Sequence, residues 1–254
     1  MTPFEVVAIL LAGVAAGTIN TVVGSGTLIT FPTLVAFGVP PVTANVSNTV
    51  GLVPGSLSGA IGYRRELTGQ HGRLMRLGSA SLLGGILGAV LLLWLPPAAF
   101  DAIVPALIAL GLLLVVTGPA ISRRVTARAE ARGGLPEHGH WWVWPAVLLT
   151  GVYGGYFGAA QGVLLMAVLG IGIADDLQRH NATKNVLAMI VNGVAALVFI
   201  AVADVDWAVA GLIAVGSVIG GQLGAGVGRR LPPLALRAVI VVVGVTAIVA
   251  LLAG

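Results

Sequence analysis

The sequence predicts an all-α integral membrane protein made of two inverted repeats of about five transmembrane segments each, with short or broken helices. Three observations carry that expectation: a composition unsuited to a water-facing surface, apolar runs of membrane-crossing length, and a pattern that returns after a fixed interval. Only 9% of the 254 residues are charged and 57% are hydrophobic, with a mean hydropathy of +1.04. A soluble domain carries about 25% charged residues. So few charges cannot coat a globular surface, and lipid must solvate most of the exterior. The 37 glycines fit close helix approach and helix breaks within a bilayer. The absence of cysteine excludes disulfides, thiolate metal sites and cysteine nucleophiles. The net charge of +4 comes from arginines in short loops between apolar runs, as the positive-inside rule requires, and implies no nucleic-acid partner.

The apolar runs are Phe4–Phe37, Val46–Tyr63, Leu74–Leu95, Ile103–Ile121, Trp142–Ile173, Val186–Ala203, Trp207–Val227 and Leu234–Ala253. Most have about the 20 residues that cross a roughly 30 Å hydrocarbon core. The first run follows Met1-Thr-Pro-Phe-Glu5, with no basic residue ahead of it, and reads as a retained helix rather than a signal peptide. Phe4–Phe37 and Trp142–Ile173 are too long for one helix. Asn20–Gly26 interrupts the first and Gly158–Gly162 the second, so each is two short spans or a hairpin that turns back within the membrane.

The halves repeat. Asn45-Val46-Ser47-Asn48 matches Asn181-Ala182-Thr183-Lys184, Gly84–Ala89 matches Gly220–Ala225, and Leu95-Pro96-Pro97 matches Leu231-Pro232-Pro233, each 136 residues on. Gly26 meets Gly162 at that spacing, while Gly13 and Gly17 reach Gly151 and Gly155 after a two-residue slip. The expected organisation is a first membrane repeat over 1–121, a cytoplasmic linker over 122–141 and a second membrane repeat over 142–254.

Loop charge sets the orientation. Arg64, Arg65, Arg73 and Arg76 form one basic group, Arg123, Arg124, Arg128 and Arg132 a second, and Arg229, Arg230 and Arg237 a third; all three are placed in the cytoplasm. The loops with Asp101 and with Asp204 and Asp206 go outside. Equivalent positions of the repeats therefore carry opposite charge, which predicts opposite crossing directions and an odd number of crossings per repeat. Five plus five is preferred; three per repeat follows if the long runs are re-entrant. An eight-span chain, four plus four, would run the repeats parallel and put Arg229 and Arg230 outside.

Inverted repeats with broken helices are the pattern of secondary transporters, whose substrates bind near the midplane against exposed helix ends. The first-half candidates for substrate binding are Asn20, Thr21, Gly24, Ser25 and Gly26 with Asn45, Ser47 and Asn48. Their second-half counterparts are Gly158, Gln161 and Gly162 with Asn181, Thr183, Lys184 and Asn185. Glycine lets backbone N–H groups face an anion without a Cβ in the way, and Asn, Ser and Thr supply neutral donors. Asn45 and Asn181 stand where they would N-cap helices whose positive ends face the site. Lys184, the one lysine in the chain, stands opposite Asn48 and reads either as an anion or coupling partner or as a snorkelling headgroup lysine. Asn192 falls mid-helix as a polar interhelix contact, Trp141, Trp142 and Trp144 form an interfacial anchor, and Gly84/Gly88 and Gly220/Gly224 form packing seams. Glu137-His138-Gly139-His140 lacks a third ligand and reads as a solvated turn. No metal, cofactor or catalytic group is expected.

The run Ala12-Gly13, Gly17-Thr18-Ile19-Asn20-Thr21-Val22-Val23-Gly24-Ser25-Gly26-Thr27-Leu28, Pro32 and Leu34 resembles the opening motif of the sulfite exporter TauE/SafE family, also called the toluene sulfonate uptake permease family. So does Gly38-Val39-Pro40-Pro41 with Ala44-Asn45-Val46-Ser47-Asn48-Thr49. The duplicated layout extends the resemblance over essentially the whole chain. It implies a multi-pass transporter of the cell inner membrane for sulfite, thiosulfate, sulfoacetate or another organosulfonate. The family's glycine triplet is Gly24-Ser25-Gly26 here, and the second half thins to Ala159-Ala160-Gln161-Gly162, with Val168 opposite Pro32. The leading expectation is thus a secondary transporter of a small sulfur-containing anion working by alternating access, with proton or sodium as coupling ion and with the direction open. A passive anion channel and an intramembrane enzyme are the alternatives.

Overall fold

A computed structural model of the protein describes residues 1–130, 139–226 and 233–253. Arg132, Glu137, His138, Arg229, Arg230, Leu231 and Pro232 lie outside the described residues, as do the side chains of Arg123, Arg124 and Arg128. The described residues form ten helices and no strand: α1 Pro3–Val22, α2 Thr27–Ala36, α3 Pro41–Gly62, α4 His71–Trp94, α5 Pro97–Glu130, α6 Val143–Tyr156, α7 Gln161–Gly172, α8 Leu177–Val202, α9 Trp207–Gly226 and α10 Pro233–Ala253. Among these residues, α1, α4, α5 over Pro97–Gly118, α8 and α9 are long and apolar enough to cross a bilayer. The chain is a multi-pass, all-α membrane protein.

Local chemistry explains the ends. Thr2 and Glu5 form a capping box at the start of α1, the Glu5 N–H donating to Thr2 Oγ1 and the Thr2 N–H to Glu5 Oε2, ahead of Pro3. Asp176 caps α8 by accepting from the N–H groups of Gln178 and Arg179. Both over-long apolar runs break into two helices, of 20 and 10 residues in the first and 14 and 12 in the second. The breaks are tighter than the sequence suggested: α1 continues through Asn20 and Thr21, and α7 already begins at Gln161. At about 1.5 Å per residue, α2 spans about 15 Å and α7 about 18 Å, well short of a hydrocarbon core. α5 runs helical past residue 121 to Glu130, through a stretch with no glycine or proline to stop it.

Helix pairing is reciprocal between the halves. α1 packs on α9 and its counterpart α6 on α4; α3 packs on α9 and α8 on α4; α5 packs on α7 and α10 on α2; α3 meets α8, and α5 meets α10. The expected glycine seams make the first two contacts. A methyl on Gly220 would sit 2.1 Å from the Val14 carbonyl oxygen, and one on Gly84 would sit 2.3 Å from that of Leu148. These seams correct the register between α1 and α6. Gly220 sits on Val14 and Thr18 where Gly84 sits on Leu148 and Val152, so the counterparts lie 134 residues apart and Gly17 answers Gly151. The sequence match through Gly13 and Gly17 was one helical turn out, because glycines four residues apart present the same face in either register. Likewise the residue before α2 is Gly26 and the residue before α7 is Ala160, not Gly162.

α3 and α8 run antiparallel. Ser47, early in α3, accepts from the N–H of Asp206 beyond the end of α8; Ser56 meets Asn192 midway; and Tyr63, after α3, packs with Ala182 near the start of α8. The largest apolar cluster lies beside the breaks, where Phe31 of α2, Phe100 of α5 and Phe157 after α6 pack edge to face with ring centroids 5.1–6.3 Å apart.

Candidate functional site where the two helix breaks meet

Each break is a helix stopped by a glycine in the left-handed region. The N–H groups of Val23 and Gly24 both donate to the Ile19 carbonyl, and Gly24 has φ of 90°. In the second half Phe157 and Gly158 both donate to the Tyr153 carbonyl, and Gly158 has φ of 76°. This is a Schellman-like stop that a side chain at the glycine would strain. The two breaks touch. The Gly162 N–H donates to the Gly24 carbonyl at 2.9 Å, and a methyl on Gly24 would lie 2.3 Å from the Gly162 Cα. The N-terminal ends of the short helices α2 and α7, with their positive dipole ends, thus converge inside the protein.

The ends of α1 and α6 are closed from the opposite half. Asn45 Nδ2 donates to the Tyr156 carbonyl at the end of α6 (2.9 Å). Asn181 Nδ2 donates to the Thr21 carbonyl at the end of α1 (3.2 Å), joined there by Lys184 Nζ (3.1 Å) and Asn185 Nδ2 (3.4 Å). Lys184 Nζ also donates to the Asn20 carbonyl at 2.9 Å, and Lys184 is fully buried. This corrects the expectation for Asn45 and Asn181. They do not N-cap their own helices, which begin four residues earlier at Pro41 and Leu177. Each caps the C-terminal end of a broken helix in the other half, where carbonyls lack intrahelical donors. Lys184 likewise does not snorkel to a headgroup level.

Between the breaks lies a small polar cleft of about 20 Å³, lined by Asn20, Thr21, Gly24, Gly158, Gln161, Gly162 and Asn185 from the expected set. Thr27, Ser56, Ala188 and Asn192 complete it. Neither Ser56 nor Thr27 was among the expected binding residues, although Thr27 lies in the motif that carries the family resemblance. Ser56 and Asn192 are 136 residues apart and hydrogen-bond to each other at 3.2 Å, so the spacing that revealed the repeat also marks this contact. Gln161 is 3% exposed and its Nε2 has no hydrogen-bond partner among the described residues; its side chain lies against Gly154. Asn20 Oδ1 accepts from the Gly26 N–H at 2.7 Å and fixes the first break.

The remaining expected residues stand around the cleft without lining it. Ser25 is buried behind the break. Asn48 Nδ2 donates to Thr27 Oγ1 and its Oδ1 accepts from Thr30 Oγ1, so it orients a cleft residue. Ser47 and Thr183 turn away: Ser47 holds the Asp206 N–H, and Thr183 donates to Gln70 Oε1 and the Arg179 carbonyl. They are counterparts that tie their helices to the loops ahead of α9 and α4. His140, the described end of the Glu137–His140 turn, stacks on Trp142.

A larger pocket of about 460 Å³ opens at the start of α8, lined by Gln70, Arg73, Arg76, Asp175 and Arg179. Asp175 pairs with both Arg73 and Arg179. Burial pushes its carboxyl up, but hydrogen bonds from the two guanidinium groups outweigh that and hold it below the usual carboxylate range. Three guanidinium groups around one carboxylate leave this mouth attractive to anions.

Comparison with known proteins agrees with this architecture. The family model described as sulfite exporter TauE/SafE matches residues 9–251. The probable membrane transporter protein YfcA of Escherichia coli K12 is 26% identical over 233 residues, covering 88% of this chain and 81% of that protein. A probable membrane transporter protein of Haemophilus influenzae is 26% identical over 226 residues, covering 87% and 84%. The probable membrane transporter protein ORF9 of a Sinorhizobium species is 26% identical over 261 residues, covering 98% and 94%. With the match spanning both halves and both helix breaks, the chain belongs to the sulfite exporter TauE/SafE family of membrane transporters.

Proposed function

We propose that the chain carries a small sulfur-containing anion, such as sulfite, thiosulfate, sulfoacetate or another organosulfonate, across the cytoplasmic membrane as a secondary transporter. The observation that carries the reading is the meeting of the two helix breaks around a buried cleft that contains no carboxylate. Neutral amides and hydroxyls, two convergent helix N-termini and the unpartnered Gln161 donor favour an anion there, and a carboxylate would repel one. The family's description as sulfite exporters supports the sulfur chemistry.

A cleft of about 20 Å³ has room for little more than one water, so an oxyanion enters only when the walls part. Reciprocal packing and the antiparallel α3 and α8 support two halves of opposite direction that rock against each other. Rocking would open the cleft first to the arginine-lined mouth, on the side assigned to the cytoplasm, and then to the other side.

Reconstitution into liposomes with labelled sulfite, thiosulfate, sulfoacetate and taurine tests the reading. Saturable uptake of at least one anion is expected; folded protein that moves none refutes it. A flux indifferent to every imposed ion gradient would identify a passive channel instead. In this cysteine-free chain, single cysteines at Arg65 and Asp204 should label from opposite faces of the membrane, and labelling from one face rejects the antiparallel arrangement.

A further inference from the structure

Lys184 is a buried cation whose two hydrogen bonds among the described residues both go to main-chain carbonyls, those of Asn20 and Thr21. Asn20 and Thr21 line the cleft, as does Asn185, the next residue after the lysine. The ammonium therefore stands one peptide group from the space assigned to the substrate. Carbonyls supply partial charge only, so the ammonium is incompletely compensated in a low-dielectric interior while the cleft is empty. An anion in the cleft supplies the missing charge. The geometry also tolerates the neutral form. An amine has two N–H groups for the two carbonyls, while the ammonium adds a third that is available to a ligand. Gaining or losing the proton thus leaves the end of α1 closed.

The surroundings keep this charge isolated. α1 and α7 bring no titratable side chain near it, and α6 brings Tyr153 and Tyr156, with the Tyr153 hydroxyl committed to the Ala159 carbonyl; the turn after α3, which meets the start of α8 through Thr68 and Gln70, carries Tyr63 and Glu66, and His71 opens α4. His180 lies one turn earlier on α8, and Arg73, Arg76, Asp175, Asp176 and Arg179 gather at the start of that helix, with Asp175 taken up by two arginines. The counterpart in the first half is Asn48, which is neutral and held by Thr27 and Thr30. The repeat therefore provides one titratable cation, not two.

We propose that Lys184 is the proton-carrying group of the transport cycle: one proton binds Nζ as one anion enters the cleft, and both leave together on the far side. Binding of anion and proton favour each other by the same factor, which makes the two species symported ligands. This rests on the anion-transport reading and adds the coupled ion to it.

The test uses the full-length protein in liposomes, with the membrane potential clamped at zero. The probes are thiosulfate and, in a parallel arm, sulfoacetate, neither of which carries a proton at neutral pH. With the outside one pH unit more acid, the wild type should concentrate a transported probe roughly tenfold. A probe gradient should in turn move protons, reported by a trapped pH dye. Lys184→Asn copies the residue of the first half, and Lys184→Arg keeps a charge that does not titrate. Folding of both is certified by thermal unfolding in detergent; exchange of probe between equal pools should slow, since the ammonium helps to hold the anion, while accumulation falls from about tenfold to none and proton movement stops. Wild-type probe transport without proton movement overturns the coupling role, as do variants that accumulate like wild type. Complete loss of exchange in both variants, with unfolding temperatures like the wild type's, makes Lys184 a binding residue only and overturns it too. A wild type that moves neither probe under any gradient sinks the transport reading instead.

Discussion

The two helix breaks share a backbone and differ in almost everything attached to it. Each stops a helix with one left-handed glycine and one carbonyl taking two N–H donors. Yet the end of α1 is held by Asn181, Lys184 and Asn185 together, whereas at the end of α6 the side-chain donor among the described residues is Asn45. Ahead of the short helices, Gly26 sits in the right-handed region at φ −61°, while Ala160 is forced left-handed at φ 62°. The two breaks thus share the main-chain device that exposes helix ends. The side chains then made one end cationic and left the other neutral, which a symmetric pair could not have done.

The shared device should break hardest. Gly24→Ala puts a methyl 2.3 Å from the backbone of Gly162 on top of a left-handed φ. It is expected to abolish uptake and to cost about 3 kcal/mol or more, read by thermal unfolding in detergent. Gly38→Ala has a similar φ of 82° but open space around it, so only the strain of about 1 kcal/mol should appear. Equal losses at the two sites would show that the contact between the breaks is unimportant.

The unequal caps give the next test. Asn45→Ala should cost about 1–3 kcal/mol, since it strips that donor from the end of α6. Asn181→Ala should cost less than about 1 kcal/mol, because Lys184 and Asn185 still serve the Thr21 carbonyl. A reversed order would mean that the lysine does not share the capping. Ala160→Gly should move the opposite way and stabilise by about 1 kcal/mol, since glycine adopts the left-handed conformation without strain; no rise in melting temperature would contradict the strain.

The smallest effect lies at the basic mouth, where Asp175→Asn should cost about 1 kcal/mol at neutral pH. The Asp175 carboxyl is held below its ordinary value of 3.8 in the folded protein. Its contribution is therefore present above about pH 4 and lost as pH falls through the lowered folded value. Wild type and variant should converge in stability under acid, and a gap that persists at low pH would argue against the ion pairs as its source.

The class of the protein was legible because lipid exposure is a matter of composition. The breaks were legible because runs too long for one span had glycine and amides in their middles. The chemistry of Asn45 and Asn181 was legible as helix capping, but not the helix capped, since the carbonyls they reach lie 111 and 160 residues away. Ser47 and Thr183 read as site residues because they stand two places after those asparagines, yet two steps along a helix turn a side chain by about 200°. Here that rotation turns them to the loops. Ser56 was missed although the 136-residue spacing that links it to Asn192 was already in hand.

By itself the sequence determined a lipid-solvated helical chain with a break in each half, because hydrophobicity and glycine content are local or additive properties. Only the tertiary structure decided the register of α1 against α6, the exchange of caps between halves and the seating of Lys184 beside the cleft. The physical reason is that a helix looks alike one turn up or down its own axis. Which turn is used is settled only when glycines on one helix must admit the backbone of another.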